Sequence, residues 1–208
     1  AGHLIEAAVA YHESTGKRKL LDVMCRYVDY IADVFGSAEE QMQGYPGHQE
    51  IELALVKLHQ VTHEERYLKL AQYFIDERGK QPHYYDAEAH KRGDKPENFW
   101  AKTYAYNQSH LPVREQTTAE GHSVRACYMY AGMADLARLS DDADLKQACL
   151  ALWDDVVRHK LYITGALGST RLNEGFTSAY DLPDETAYAE TCASIALVFW
   201  AQRMFQLD

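Results

Sequence analysis

Glu190, Thr191 and Cys192 set a carboxylate and a thiol two residues apart. Both groups ligate zinc as anions. On a regular helix, residues i and i+2 face different ways. The pair would therefore need a distorted turn, or a metal reached from two directions, and it leaves a tetrahedral site half built. Glu174 lies in Thr170-Arg171-Leu172-Asn173-Glu174-Gly175-Phe176-Thr177. Its glycine and aromatic neighbours are a setting that can raise a carboxyl pKa for general-acid work, although an exposed loop glutamate has the same pattern. His3, His48 and His122 each follow a glycine and each precede a helical stretch. One such histidine reads as a cap or a satisfied buried ring. Three in the same relative place favour contact with sugar hydroxyls or with developing charge.

Other candidates are less specific. Asn98, Phe99 and Trp100, with Tyr104 and Tyr106 beyond them, could stack on sugar faces or pack a long loop against its domain, and His83, Tyr84 and Tyr85 are equally open. Arg114, Glu115 and Arg125 read as members of internal ion pairs.

The elements that must position these residues are helical. Apolar residues recur with helical period over residues 3–14, 17–35, 49–61, 64–78, 121–139, 142–160 and 186–206. The first helix puts Leu4, Ala7, Ala8 and Tyr11 on one face and stops at Thr15-Gly16. The second carries Leu20, Leu21, Met24, Val28 and Ile31. The second pair buries Ile51, Leu55, Leu58, Tyr67, Leu70 and Phe74. Two irregular stretches, 79–119 and 164–185, interrupt the pattern, and their length is unusual for plain connectors. Repeated helix–turn–helix units must stack to bury their faces. An open solenoid and a closed ring of hairpins both satisfy that need. The recurring Gly-His loops favour the ring, because three equivalent loop ends would share one rim. A six-hairpin ring at roughly 35–45 residues per unit needs about twice this length. The native protein is thus expected to continue past Asp208 and to begin before Ala1, with residues 1–208 forming part of one all-α domain.

With 208 residues and a net charge of −10, the chain has no basic stripe of the kind that binds nucleic acid. No apolar run approaches the roughly 18 residues of a membrane span. Cys25, Cys127, Cys149 and Cys192 are widely spaced, which fits reduced thiols rather than a disulfide framework. A cytoplasmic location is the expectation, with no signal peptide visible.

Gly2-His3-Leu4-Ile5-Glu6-Ala7-Ala8, Gly44-Tyr45-Pro46-Gly47-His48-Gln49-Glu50-Ile51-Glu52, Glu120-Gly121-His122-Ser123-Val124-Arg125, Tyr162-Ile163-Thr164-Gly165 and Tyr188-Ala189-Glu190-Thr191-Cys192-Ala193-Ser194 together resemble glycoside hydrolase family 127. That family contains retaining β-L-arabinofuranosidases. The likeness runs through nearly the whole chain, with the motifs in the family's order. It implies part of an (α/α)6 barrel and a carbohydrate substrate, an arabinofuranosyl glycan or glycoconjugate. It also implies a zinc-bound cysteine thiolate as nucleophile and a glutamic acid as acid/base. Glu174 matches the acid/base, Glu190 and Cys192 match two zinc ligands, and His3, His48 and His122 match pocket positions. The nucleophile and the remaining zinc ligand are neighbouring cysteines downstream of this chain, and Cys25, Cys127 and Cys149 do not match them. The isolated stretch is expected to be inactive. Two other classes remain as alternatives: another (α/α)6-barrel sugar enzyme, such as an unsaturated-glucuronyl hydrolase or an epimerase, and a non-enzymatic helical-repeat scaffold.

Overall fold

The computed structural model describes residues 1–98 and 103–207. Among these are eight α-helices: α1 (Gly2–Thr15), α2 (Lys19–Val34), α3 (Ile51–Thr62), α4 (Glu65–Glu77), α5 (Tyr84–Arg92), α6 (Ser123–Ser140), α7 (Ala143–Asp155) and α8 (Thr191–Leu207). The described residues form no strand, only three isolated bridges. No helix is long and apolar enough to cross a membrane among the described residues.

Three hairpins, α1–α2, α3–α4 and α6–α7, hold most of the α-helical residues. Each turn is closed by a residue in the left-handed region or by a side-chain cap. Gly16 (φ 71°) ends α1 and His63 (φ 59°) ends α3. Asp142 caps α7 by accepting from Leu145 N at 2.9 Å. The first helices of the hairpins also pack on one another, α1 on α3 and α3 on α6, and α8 continues the row against α6. Successive helices of such an array alternate in direction, so α1, α3, α6 and α8 start at the same end. This is an all-α partial barrel, with one rim made of helix N-termini.

The centre of the row is α6, buried almost all round from Ser123 to Ala137. A helix apolar on every face belongs in a core, and this one shows little amphipathic character. Gly132 allows the close approach of α3: a Cβ there would lie 3.2 Å from that of Glu52. Tyr130, Trp153 and Trp200 join α6, α7 and α8, with ring centroids 4.9 and 4.8 Å apart across Trp200. Cys127 and Cys149 are buried and Cys192 is exposed; all four cysteines are free.

Three details depart from the helical periodicity. Leu4, Ala7 and Tyr11 do not face the core; Ile5, Ala8 and Val9 do. Helix α1 carries two apolar strips, and the described residues cover the other one. The stretch 79–119 holds α5, whose only buried residue is Ala89, so its burial gave no periodic signal. Finally, α8 starts at Thr191 rather than 186, because Ala189 turns into the left-handed region (φ 47°).

Behind the rim lies a charged core. Arg78 and Glu52 have fully buried side chains, 3.4 Å apart. Arg78 also donates to Asn107 O (2.9 Å) and Pro46 O (2.8 Å), and its guanidinium covers the Tyr45 ring. Removing one partner of a buried ion pair strands the other charge in a medium that cannot solvate it. Glu52→Ala is expected to cost about 3–5 kcal/mol of stability, read as a lower urea midpoint. Glu52→Gln, which keeps the side-chain shape and one acceptor oxygen, should cost less.

Candidate active site

His122 is the N-cap of α6. Its Nδ1 accepts from Val124 N at 3.2 Å, so the proton of the neutral ring sits on Nε2. Nε2 faces Glu174 Oε2 at 2.9 Å. The other carboxylate oxygen, Oε1, accepts from the Tyr188 hydroxyl at 3.1 Å. Burial, with Arg125 nearby, pushes His122 below the usual imidazole pKa despite the opposing pull of Glu174. His122 is therefore a neutral donor near pH 7.

The His122 loop is held on three sides. His122 N donates to Tyr106 O (3.1 Å), and Phe176 N donates to Gly121 O (2.9 Å). Ala119 is clamped by both peptide groups: its N–H bonds Asp155 Oδ2 at 2.7 Å, and its carbonyl accepts from Lys160 Nζ at 2.6 Å. Asp155 and Lys160 lie 3.0 Å apart and both are buried. In a regular α-helix, residues five apart are about 140° apart around the axis. Here a π-helical turn, Val156–Lys160, follows α7 and brings the pair to one point. Burial pushes the Asp155 carboxyl up, but the Ala119 N–H, Lys160 and His159 together hold it below its ordinary value.

The Glu174 loop meets this arrangement through a close backbone contact. Gly175 bridges to both His122 and Thr170, and a Cβ on Gly175 would lie 2.0 Å from Gly121 O. Asn173 (φ 63°) and Glu174 (φ 51°) are both left-handed, which costs non-glycine residues about 1–3 kcal/mol each. Ser123 Oγ donates to Glu174 O at 3.2 Å and fixes the backbone from the α6 side.

Glu190 immediately precedes α8; its carbonyl accepts from Ala193 N at 3.0 Å. This removes the facing problem for Glu190 and Cys192, because Glu190 lies outside the helix. The Glu190 carboxylate hydrogen-bonds the Cys192 thiol, and that bond is the main cause of the thiol's raised pKa. Glu190 Oε2 is buried and has no hydrogen-bond partner among the described residues. Ligand atoms of His122, Glu174 and Glu190 lie within 4.8 Å of one another. Of these, His122 Nε2 is already a donor and Glu174 is held by two donors, which leaves Glu190 free to take a cation together with Cys192.

The other two histidines stand along the same rim. The His48 ring is 6.3 Å from His122 and 6.3 Å from Tyr128, and His3 is 6.3 Å from Tyr128 on its other side. His48 Nδ1 bonds Gln49 O at 2.8 Å, so its Nε2 is an acceptor. His3 is exposed, with Nδ1 2.5 Å from Glu50 Oε1. The rim thus offers a donor at His122 and an acceptor at His48. Tyr106 reaches the site, 5.5 Å from His122. Tyr104 instead stacks on His83 and bonds Asp86, while Tyr84 and Tyr85 pack around Tyr45. Phe99 and Trp100 lie outside the described residues. Arg114 forms the expected ion pairs, with Asp76 and Asp142. Arg125 forms none among the described residues; it stacks on Tyr106 and donates to Gly47 O. Tyr188 and the Asp155–Lys160 clamp were not singled out from sequence. Only the position of Tyr188, two residues before Glu190, could have pointed to it. A cavity of about 450 Å³ adjoins the same loops, lined by Gly121, Asp155, Lys160, Asn173 and Phe176, but Glu174 and Glu190 do not line it.

A row of parallel helix starts, bearing histidines, carboxylates and a thiol around one rim, defines the chain as part of an (α/α) barrel. The whole chain, residues 1–208, matches the family described as "Beta-L-arabinofuranosidase, GH127 catalytic domain". The chain belongs to that family. A non-reducing end β-L-arabinofuranosidase of Bifidobacterium longum subsp. longum is 44% identical over 211 residues, covering 100% of this chain and 32% of the relative. Among solved structures, a GH127 β-L-arabinofuranosidase from Geobacillus stearothermophilus is 59% identical with a TM-score of 0.97, over 100% of this chain and 33% of that one. A second GH127 β-arabinofuranosidase is 41% identical with a TM-score of 0.86, over 99% of this chain and 30% of its own. The chain spans about a third of the length of these relatives.

The contact between the two loops rests on Gly121, which has φ 73° and whose Cβ would lie 1.8 Å from Ala105 O. Gly121→Ala is expected to lose at least about 2 kcal/mol in chemical denaturation, since backbone on both sides must move.

Proposed function

We propose that this chain supplies the acid/base and half of the zinc site of a retaining β-L-arabinofuranosidase, one that releases L-arabinose from β-L-arabinofuranosides. The observation that carries the reading is the Glu174 carboxylate, gripped at one oxygen by His122 and at the other by Tyr188, beside Glu190. The family membership supports a glycosidase over the glucuronyl hydrolase, epimerase and scaffold alternatives.

Glu190 and Cys192 fit a zinc ion: an oxygen and a sulfur donor meet at the start of α8, and the buried Glu190 Oε2 has no hydrogen-bond partner among the described residues. Zinc bound there would keep a coordinated thiol ionised near neutral pH. The nucleophilic cysteine and the remaining ligand are proposed to lie outside these residues. Within them, His122 Nε2–H donates, the neutral His48 Nε2 accepts, and His3 closes the rim, a set suited to sugar hydroxyls. Glu174 gives its proton to the leaving oxygen as the glycosidic bond breaks. It then takes one from water in the second displacement. Inversion at each step gives net retention.

The test uses the full-length protein. Wild type is expected to release L-arabinose from a β-L-arabinofuranoside, and Glu174→Gln to lower kcat at least about 100-fold. Glu190→Ala is expected to lower the zinc content measured by elemental analysis. Full turnover by the glutamine variant, or unchanged zinc in the alanine variant, would sink the corresponding role.

A further inference from the structure

The two oxygens of Glu174 have unlike partners, and the difference decides where a proton can sit. His122 has one nitrogen committed: Nδ1 accepts from Val124 N, so Nε2 can only donate while the ring is neutral. Glu174 Oε2 faces that fixed donor at 2.9 Å. A proton on Oε2 would set two hydrogens against each other. Oε1 faces the Tyr188 hydroxyl at 3.1 Å, and a hydroxyl both donates and accepts.

We infer that the mobile proton of Glu174 resides on Oε1, and that Tyr188 is a positioning residue whose hydroxyl reverses its hydrogen bond as Glu174 changes protonation state. The inference rests on the glycosidase reading above. With Glu174 ionised, Tyr188 donates to Oε1. With Glu174 protonated, Oε1–H points to the tyrosine oxygen until substrate binds, and the leaving oxygen then takes its place. As the glycosidic C–O bond breaks under attack by the thiolate, the Oε1 proton moves to the departing oxygen and the electron pair of that bond stays with it. Tyr188 turns back to donate to the new carboxylate. In the second displacement, water gives one proton to Oε1 while its oxygen bonds the anomeric carbon and the thiolate leaves.

The backbone supports this geometry from both sides. Ala189, next to Tyr188, is left-handed (φ 47°), and its N–H bonds Gly168 O at 2.9 Å. Glu174 is itself left-handed and tied through its carbonyl to Ser123. The tyrosine and the glutamate therefore meet through two pinned segments rather than through free loop ends. Tyr188 also shares its segment with Glu190, so the same strand of chain serves both the acid/base and the proposed zinc ligand.

The test compares leaving groups in the full-length, zinc-loaded protein. A 4-nitrophenyl β-L-arabinofuranoside departs with little protonation, whereas an alkyl β-L-arabinofuranoside depends on it. Tyr188→Phe is expected to lose about tenfold more kcat on the alkyl glycoside than on the nitrophenyl one, with a smaller effect on KM. A general loss of folding lowers both rates alike and leaves the ratio at one. Tyr188→Gln, whose amide can donate and accept, is expected to bring the ratio back toward one relative to phenylalanine while retaining more alkyl-glycoside turnover. Equal losses on the two substrates with Tyr188→Phe, or no loss, would overturn the role of Tyr188 and leave the glycosidase reading standing. No turnover of either substrate by the wild type would overturn that reading and this inference with it.

Discussion

A guanidinium with no solvent exposure constrains everything packed around it. Arg78 sits at the end of α4 and draws in the Glu52 carboxylate, the Pro46 and Asn107 carbonyls and the Tyr45 ring. They come from the loop before α3, from α3 itself and from the segment around Asn107. Glu52 in turn accepts from Glu50 N at 2.9 Å, which sets the start of α3. Gln49 continues the network to Asn107 O (2.8 Å) and Gln108 (2.6 Å), and Gln108 reaches Glu120 O at 2.8 Å. One buried charge thereby fixes the loop that carries His48 and, through Gln108, the loop that leads to His122. A buried ion pair is weak as a source of net stability, because desolvation offsets most of the attraction. Its effect here is on placement: the carbonyls of Pro46 and Asn107 and the Glu52 carboxylate are drawn to one guanidinium.

That dependence explains what the sequence discloses and what it hides. The helical period located seven of the eight α-helices, since each of the seven buries apolar residues on at least one face. Helix α5 escaped because its sequence, Tyr84-Tyr85-Asp86-Ala87-Glu88-Ala89-His90-Lys91-Arg92, is mostly polar and packs through its tyrosines. The face of α1 was misread because Leu4, Ala7 and Tyr11 are as apolar as the residues that are in fact buried, and nothing local separates the two strips. The candidate residues of the rim were visible as types at loop ends. Their distances were not, since 2.9 Å between His122 and Glu174 results from a contact of two glycines, Gly121 and Gly175, that lie 54 positions apart (175 − 121). The Asp155–Lys160 clamp was hidden for a related reason: a spacing of five has no common face until a π-turn makes one.

The left-handed pair Asn173–Glu174 shows how local cost and global packing are exchanged. Two consecutive non-glycine residues in that region are unfavourable in isolation. The turn persists because Gly175 is held by Thr170 and His122, and because Ser123 bonds the Glu174 carbonyl. The strain is thus overdetermined by contacts from α6 and its preceding loop, which are themselves fixed by the buried network. A carboxylate held this way has little freedom to swing toward other partners.

The common direction of α1, α3, α6 and α8 adds an electrostatic reason for the placement of the acids. Each helix start presents unpaired N–H groups and a partial positive charge, which favours anions and neutral acceptors over cations. Glu50 stands at the start of α3, Glu190 at the start of α8, and Glu174 against the cap of α6. The same field works against protonated histidine, as does Arg125 on the first turn of α6. His122 is accordingly neutral and donates through one nitrogen while it caps through the other. Cap and site are here a single ring: the hydrogen bond that starts helix α6 also decides which nitrogen faces Glu174. The local rule that begins a helix therefore reaches, in one step, the protonation pattern of the carboxylate beside it.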